Sequence, residues 1–301
     1  MTTTEDSPMP IPFRHDDAAR ATARAAYETL EPLHVLAYFS PHLGELATSA
    51  GLDWSALYAG ARGGPLGAAA PSVVTACFFN FSPDVVEPAW RAATAHGLEQ
   101  VMALREQAVD RSLREALGER VDDPALPGIV GRLRGVAEAQ TYAGRPLASA
   151  WAAQPWPQQP HLALWHATAV LREWRGDGHL AVLVQAGFAP TEAVVFHEAS
   201  HPDPAVRKRG LGRRLAQVTR GWSEEQWLAA ARRLADRGLL RLEDDAEAMT
   251  DEGAALYDAM EAATDDAAVW AGDEDAAQLL GEVRPFVKAV IDAGVLPGTK
   301  R

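Results

Sequence analysis

The chain has 301 residues, a formal net charge of −13 and 48% hydrophobic residues, which fits one large or two modest globular domains with a sizeable core. The polar, acidic N-terminus and the lack of any apolar run of roughly 18–20 residues argue against a secretory signal and a membrane span, so a cytoplasmic protein is expected. The single cysteine, Cys77, excludes an internal disulfide and reads as a buried thiol in VVTACFFNF, and the acidic balance disfavours nonspecific nucleic-acid binding.

Residues 1–15 read as a loose tail. From Asp16 to about Gly51 the pattern is helical, with Pro32 and Pro41 as breaks and Gly51 as a stop. LDWSALYAGARGGPLG carries a short helix and a Gly/Pro turn, and residues 67–80 an apolar helix ending at Asn80. Ser82-Pro83 then opens another helix, as N-cap followed by a first-turn proline. Residues 97–117 and 126–143 read as long amphipathic helices, and 150–160 as a proline-rich connector. PHLALWHATAVLREW is a helix from Pro160, Arg175-Gly176-Asp177-Gly178 a turn, and HLAVLVQAG and TEAVVFHEAS are short helices.

After Pro204 the pattern changes. VRKRGLGRRLAQVT is helical. The next helix starts at a Ser223/Gln226 capping box, and an acidic turn between two short strands follows. Leu234-Ala-Asp-Arg-Gly-Leu239 and Thr250-Asp-Glu-Gly253 make residues 205–265 resemble the winged helix of MarR-type regulators. EPLHVLAYF (31–39), YAGARGGPLGA (58–68), FFNFSP (78–83), the segment 144–187 and TRGWSEEQW (219–227) together resemble an actinobacterial helix-turn-helix, MarR-like winged-helix family. The resemblance implies a mainly α fold with a small β-wing and brings no established activity. The expected organisation is a tail (1–15), an N-terminal helical domain (16–150), a connector with a helical segment (151–203) and a winged-helix domain with a C-terminal helix (204–301).

The residues argue against DNA reading. The recognition helix opens with Ser223-Glu224-Glu225-Gln226, the wing is Glu243-Asp244-Asp245-Ala246-Glu247, and no Lys or Arg occurs from Glu243 to Asp275. Carboxylates at these places repel phosphate. Against this stands a basic run, Arg207, Lys208, Arg209, Arg213, Arg214 and Arg220, with Arg232, Arg233 and Arg237 on the recognition helix.

His197-Glu198-Ala199-Ser200-His201 spells H-E-x-x-H, which on a helix can hold zinc with the glutamate as base. Pro202 disfavours helical backbone at His201, so the second imidazole is not expected one turn above the first. The resemblance points the same way, since its pattern implies one histidine here, at His197. No metal site is therefore predicted. No cofactor motif is present, and the sequence leaves haem and zinc open.

The densest polar stretch is HLALWHATAVLREWRGDGH. In it His179 and Asp177, joined by His34, are candidate acid–base groups, while Arg172, Arg175 and His166 are candidate ligand contacts. Arg62, Asn80 and Tyr38 from the N-terminal half complete the set, with Tyr38 one turn beyond His34. Several have an ordinary structural alternative: an N-cap for Asp177, an ion pair with Glu173 or with the other domain for Arg172 and Arg175, a C-cap for Asn80 and a core histidine for His34. The functional expectation is recognition of a small organic molecule in a pocket between the two halves, with acid–base chemistry if any reaction occurs. A ligand-responsive MarR-like regulator is the alternative and a zinc hydrolase the third. A homodimer through terminal helices is a further expectation.

Overall fold

The computed structural model describes residues 12–206, 210–243, 246–272, 275–296 and 299. The basic triplet Arg207, Lys208, Arg209 and the wing-tip pair Asp244-Asp245 lie outside the described residues. The fold is mainly helical with one two-stranded sheet.

The first half is a helical layer: α1 (Asp17–Phe39), α2 (Pro41–Ser49), α3 (Trp54–Gly63), α4 (Pro71–Phe78), α5 (Pro83–His96), α6 (Leu98–Leu117), α7 (Leu126–Ala139) and α8 (Pro146–Ala152). Through it runs α9 (Pro160–Gln185), which packs against α1, α6, α7 and α8. Residues 161–171 of α9 are buried without interruption, as expected of a helix apolar all round. Leu33, Leu113, Leu133, Leu147, Leu164, Trp90 and Trp151 fill the core around it.

Arg175-Gly176-Asp177-Gly178 is no turn, because α9 continues through it. Two helical glycines cost roughly 1 kcal/mol each, and at Gly178 the missing side chain makes room for the Arg145 guanidinium. A Cβ there would lie 2.8 Å from Arg145 Nη1 and 3.4 Å from the Ala267 methyl. Pro32 lies inside α1 rather than between helices. It removes one N–H, but Leu33, Leu36 and Ala37 beyond it are fully buried, and that packing carries the helix on. The apolar helix expected from residue 67 starts at Pro71, and α8 occupies the beginning of the expected connector. Ser82 with Pro83 and Pro160 start their helices as the sequence predicts.

A second apolar cluster joins α10 (Pro190–Glu198), α11 (Arg213–Arg220), α12 (Glu224–Asp236), β1 (Leu240–Glu243), β2 (Ala246–Met249) and α13 (Asp251–Asp266). Strands β1 and β2 pair antiparallel, with Leu240 opposite Met249 and Glu243 opposite Ala246. Ser200 adds a one-residue bridge to Ala248, donating its N–H to the Glu247 carbonyl and accepting from Met249 N. The expected helix over VRKRGLGRRLAQVT is described only from Arg213 onward, after Gly212 at φ 82°. The Ser223/Gln226 capping box forms as predicted. Finally α14 (Ala276–Asp292) returns to the first layer and packs on α1, α6 and α7. Among the described residues no single helix is long and apolar enough to cross a membrane.

Candidate functional site

Four of the predicted polar residues meet around one carboxylate. Glu31, His34 and Tyr38 share a stripe of α1, Tyr58 and Arg62 share one of α3, and Arg172 and Glu173 come from α9. Glu173 is 1% exposed and takes Arg62 through two hydrogen bonds, Nε to Oε1 at 2.8 Å and Nη2 to Oε2 at 2.9 Å. Arg172 Nη1 adds a third at 3.3 Å, and His34 Nε2 lies 3.9 Å from Oε1. Burial alone would raise the Glu173 carboxyl, but Arg62 and Arg172 overcome it and hold it at about 2. Burial, reinforced by Arg172, pushes the His34 imidazole down to about 3, so the ring is neutral. Burial also raises the Tyr38 hydroxyl. His34 Nδ1 and Tyr38 Oη are buried without a hydrogen-bond partner. Around them Tyr38, Tyr58 and Phe81 form an aromatic chain, with Arg62 over the Phe78 ring at 4.6 Å.

This cluster is closed. The cleft beside it, lined by Tyr27, Glu31, Arg172 and Arg175, has a free volume of about 20 Å³, room for roughly one water molecule. Arg175 pairs with Asp265 at 3.0 Å and stacks over Tyr27.

The other predicted residues lie elsewhere. His179 bonds through Nδ1 to Thr264 Oγ1 at 2.9 Å on α13, and burial lowers it to about 4. His166 sits among Trp151 and Trp156, also lowered to about 4 by burial. Asn80 does not cap α4, since that position belongs to Phe79 at φ 29°, an unusual left-handed value for an aromatic residue. The Asn80 carbonyl instead accepts from Trp222 Nε1 at 2.9 Å.

Asp177 was expected to cap a helix starting at His179. It lies mid-helix, and its Oδ2 accepts Ala148 N at 2.9 Å, capping α8 from across the interface. It also lines a roomy concavity. This groove, between α4, the start of α8 and the second half of α9, encloses about 460 Å³, within the range of small-molecule sites. Its walls are apolar: Ala76, Phe79, Pro146, Leu180, Ala181 and Val184. Val73 and Val184 on its rim are 45% and 64% exposed. Cys77 and Asp177 form the floor, 4% and 6% exposed. Burial pushes the Cys77 thiol up to about 11. Burial pushes the Asp177 carboxyl up to about 6, against the Ala148 hydrogen bond.

In the H-E-x-x-H stretch, α10 stops at Glu198 and Ala199 is extended, leaving His201 off the helix. The Glu198 carboxylate accepts Leu211 N and Gly212 N at 3.1 and 2.8 Å. His201 Nδ1 accepts from Asp203 N at 3.0 Å. Among the described residues no group of three His, Cys, Asp or Glu side chains could hold a metal ion.

The turn between α11 and α12 is pressed against the α4–α5 loop. Ser82 N donates to the Arg220 carbonyl at 2.8 Å, and a Cβ on Gly221 would fall 2.1 Å from Val85 Cγ2. The Arg220 guanidinium covers Phe81 at 4.3 Å. Arg213 pairs with Glu224 and Glu247, and Arg233 and Arg237 both pair with Glu192. Arg214 and Arg232 are exposed, and the outer face of α12 sets Arg232 between Glu225 and Asp236.

Helices α10 to α12, the Ser200 bridge and the β1–β2 hairpin define a helix-turn-helix protein with a small wing. The chain belongs to a helix-turn-helix family, which it matches over residues 23–297. No curated protein and no solved structure matches it.

The sequence singles out Arg62, Arg172, His34 and Tyr38 and offers Glu173 as an ion-pair partner of Arg172 and Arg175, but not as a hub for the whole group. Glu173 is that hub. The spacing of Glu31, His34 and Tyr38 on one stripe, and of Tyr58 and Arg62 on another, carried the missing signal.

Proposed function

We propose that this chain binds a small, largely apolar organic molecule in the groove between α4, α8 and α9. The helix-turn-helix then serves as a packing module rather than a DNA reader. The carrying observation is the groove itself: about 460 Å³, apolar walls and one buried carboxylate on the floor. Sites for small ligands have this composition. The docking of the α11–α12 turn on residues 79–85 supports the second half of the reading. A duplex reaching the N-terminus of α12 meets that loop, and Arg213, Arg233 and Arg237 nearby already have carboxylate partners.

The test is a thermal-shift and calorimetric titration with 4-phenylbutanol, an apolar neutral probe. Wild type is expected to bind, and Ala181→Trp, which fills the groove from an exposed position, is expected to abolish binding. Equal behaviour of the two proteins refutes the site.

A ligand-responsive regulator of MarR-like layout is the second reading. Phe79 lines the groove, and the adjacent Asn80 carbonyl holds Trp222 next to the α12 N-terminus. A ligand against Phe79 therefore touches the loop that holds the helix-turn-helix.

A further inference from the structure

Five acids are buried among the described residues: Glu173, Asp177, Glu192, Glu247 and Asp265. Four of them have an arginine within ion-pair distance: Glu173 has Arg62, Glu192 has Arg233, Glu247 has Arg213 and Asp265 has Arg175. Asp177 has none. Arg145, just before α8, makes no ion pair with it and instead donates to the Trp174 and Ala267 carbonyls while covering the Trp174 ring. Arg62 is committed to Glu173. The Ala148 and Leu147 amides at the start of α8 engage the Asp177 carboxylate, neutral partners for a group that carries charge when ionised. A buried carboxylate without a cation is costly, and this one forms the floor of an apolar groove.

We infer that the groove takes a protonated amine carrying an apolar body, with its ammonium paired to Asp177 and its hydrocarbon part along Phe79, Leu180 and Val184. This inference rests on the groove being the binding site and adds the class of ligand. An ammonium supplies the missing counter-charge through a charge-assisted hydrogen bond. The Ala148 N–H need not be displaced, because a carboxylate accepts several donors. The apolar body covers Val184 and Val73, which otherwise face solvent.

The pH dependence has a definite sign. The charged and titratable groups facing Asp177 are Glu173 on its own helix, Arg62 on α3, Arg145 before α8 and Cys77 on α4. Burial, with Glu173, raises Asp177 to about 6. Glu173 stays ionised and Cys77 stays protonated around neutrality. Amine binding therefore strengthens as pH rises from about 5 to about 7.5, as Asp177 deprotonates.

The test compares 4-phenylbutylamine, 4-phenylbutanol and 4-phenylbutyrate by calorimetry at about pH 7.5. A charge-assisted bond predicts the amine binding roughly ten- to hundred-fold tighter than the alcohol, with the carboxylate weakest. Asp177→Asn keeps the Ala148 hydrogen bond and should bring the amine down to the affinity of the alcohol. Val184→Arg, at an exposed rim position, should reverse the order in favour of the carboxylate without touching the core. Equal affinity for the three head groups, with Ala181→Trp still abolishing all binding, overturns the amine assignment and leaves the groove standing. Absence of binding by all three probes overturns both.

Discussion

Replacing Glu173 by glutamine should cost the protein about 3–5 kcal/mol. Glutamine keeps the size of the side chain, but its amide group turns a donor toward a guanidinium that is itself all donors. Arg62 and Arg172 then remain buried without their shared counter-charge. Removing one partner of a buried ion pair typically costs about 3–5 kcal/mol. The carboxyl gives a second measure: its fall from 4.5 to about 2 corresponds to roughly 3 kcal/mol at about 1.4 kcal/mol per pH unit. At roughly 2–4 °C per kcal/mol for a chain of this size, the melting temperature should fall by roughly 6–20 °C. The assay is a far-UV circular dichroism melt near neutral pH, with urea titrations for the free energy. The sign with pH follows from a depressed folded-state value. The contribution of Glu173 is fully present above 4.5 and lost as pH falls toward about 2. Wild type and variant should therefore converge across that window. A loss under about 1 kcal/mol, or a gap unchanged down to the acid limit, refutes the hub assignment.

Three further outcomes are expected. Burial lowers His34 to about 3, and His166 and His179 to about 4, from an ordinary 6.5. Stability should thus be full above 6.5 and fall with acid at up to about 1.4 kcal/mol per pH unit for each ring, and flat urea midpoints between about pH 7 and 5 would count against this. Gly221→Ala, at φ 74° and facing Val85, should destabilise by roughly 2–5 kcal/mol through backbone strain and overpacking. Adding Val85→Ala should recover the packing part only, as read by urea titration and Trp222 emission. Finally, fluorescence anisotropy with labelled duplex at about 50 mM salt should show at most weak, sequence-indifferent association, in the range of roughly 10⁻⁴–10⁻⁶ M typical of nonspecific contacts. Nanomolar binding to one sequence would establish the regulator reading instead.

Local grammar was legible where it was chemical. Ser82 with Pro83, the Ser223/Gln226 box and Thr250 before α13 all act as the caps their residue types suggest. Gly176 and Gly178 misled because a glycine in a helix and a glycine in a turn look alike in one dimension. Only the approach of Arg145 and Ala267 shows what Gly178 is for. Asp177 failed as a local cap for the same reason, since the helix end it caps is 29 residues away in sequence. The site was half legible. Arg62, Arg172, His34 and Tyr38 were chosen as polar residues in apolar settings, and the fold does gather them. Their gathering closes the space instead of opening it, and no periodicity reports that. The roomy groove is built from alanine, valine and leucine, residues that read as core until their exposure is known.

Hydrogen–deuterium exchange of the wild-type chain, with and without saturating 4-phenylbutylamine, tests the central claim most directly. The account predicts slowed exchange in α4 and its cap residue (71–79) and in residues 176–185 of α9, with the α11–α12 turn already protected in the free protein. Unchanged exchange in both groove segments, or a freely exchanging α11–α12 turn, contradicts it.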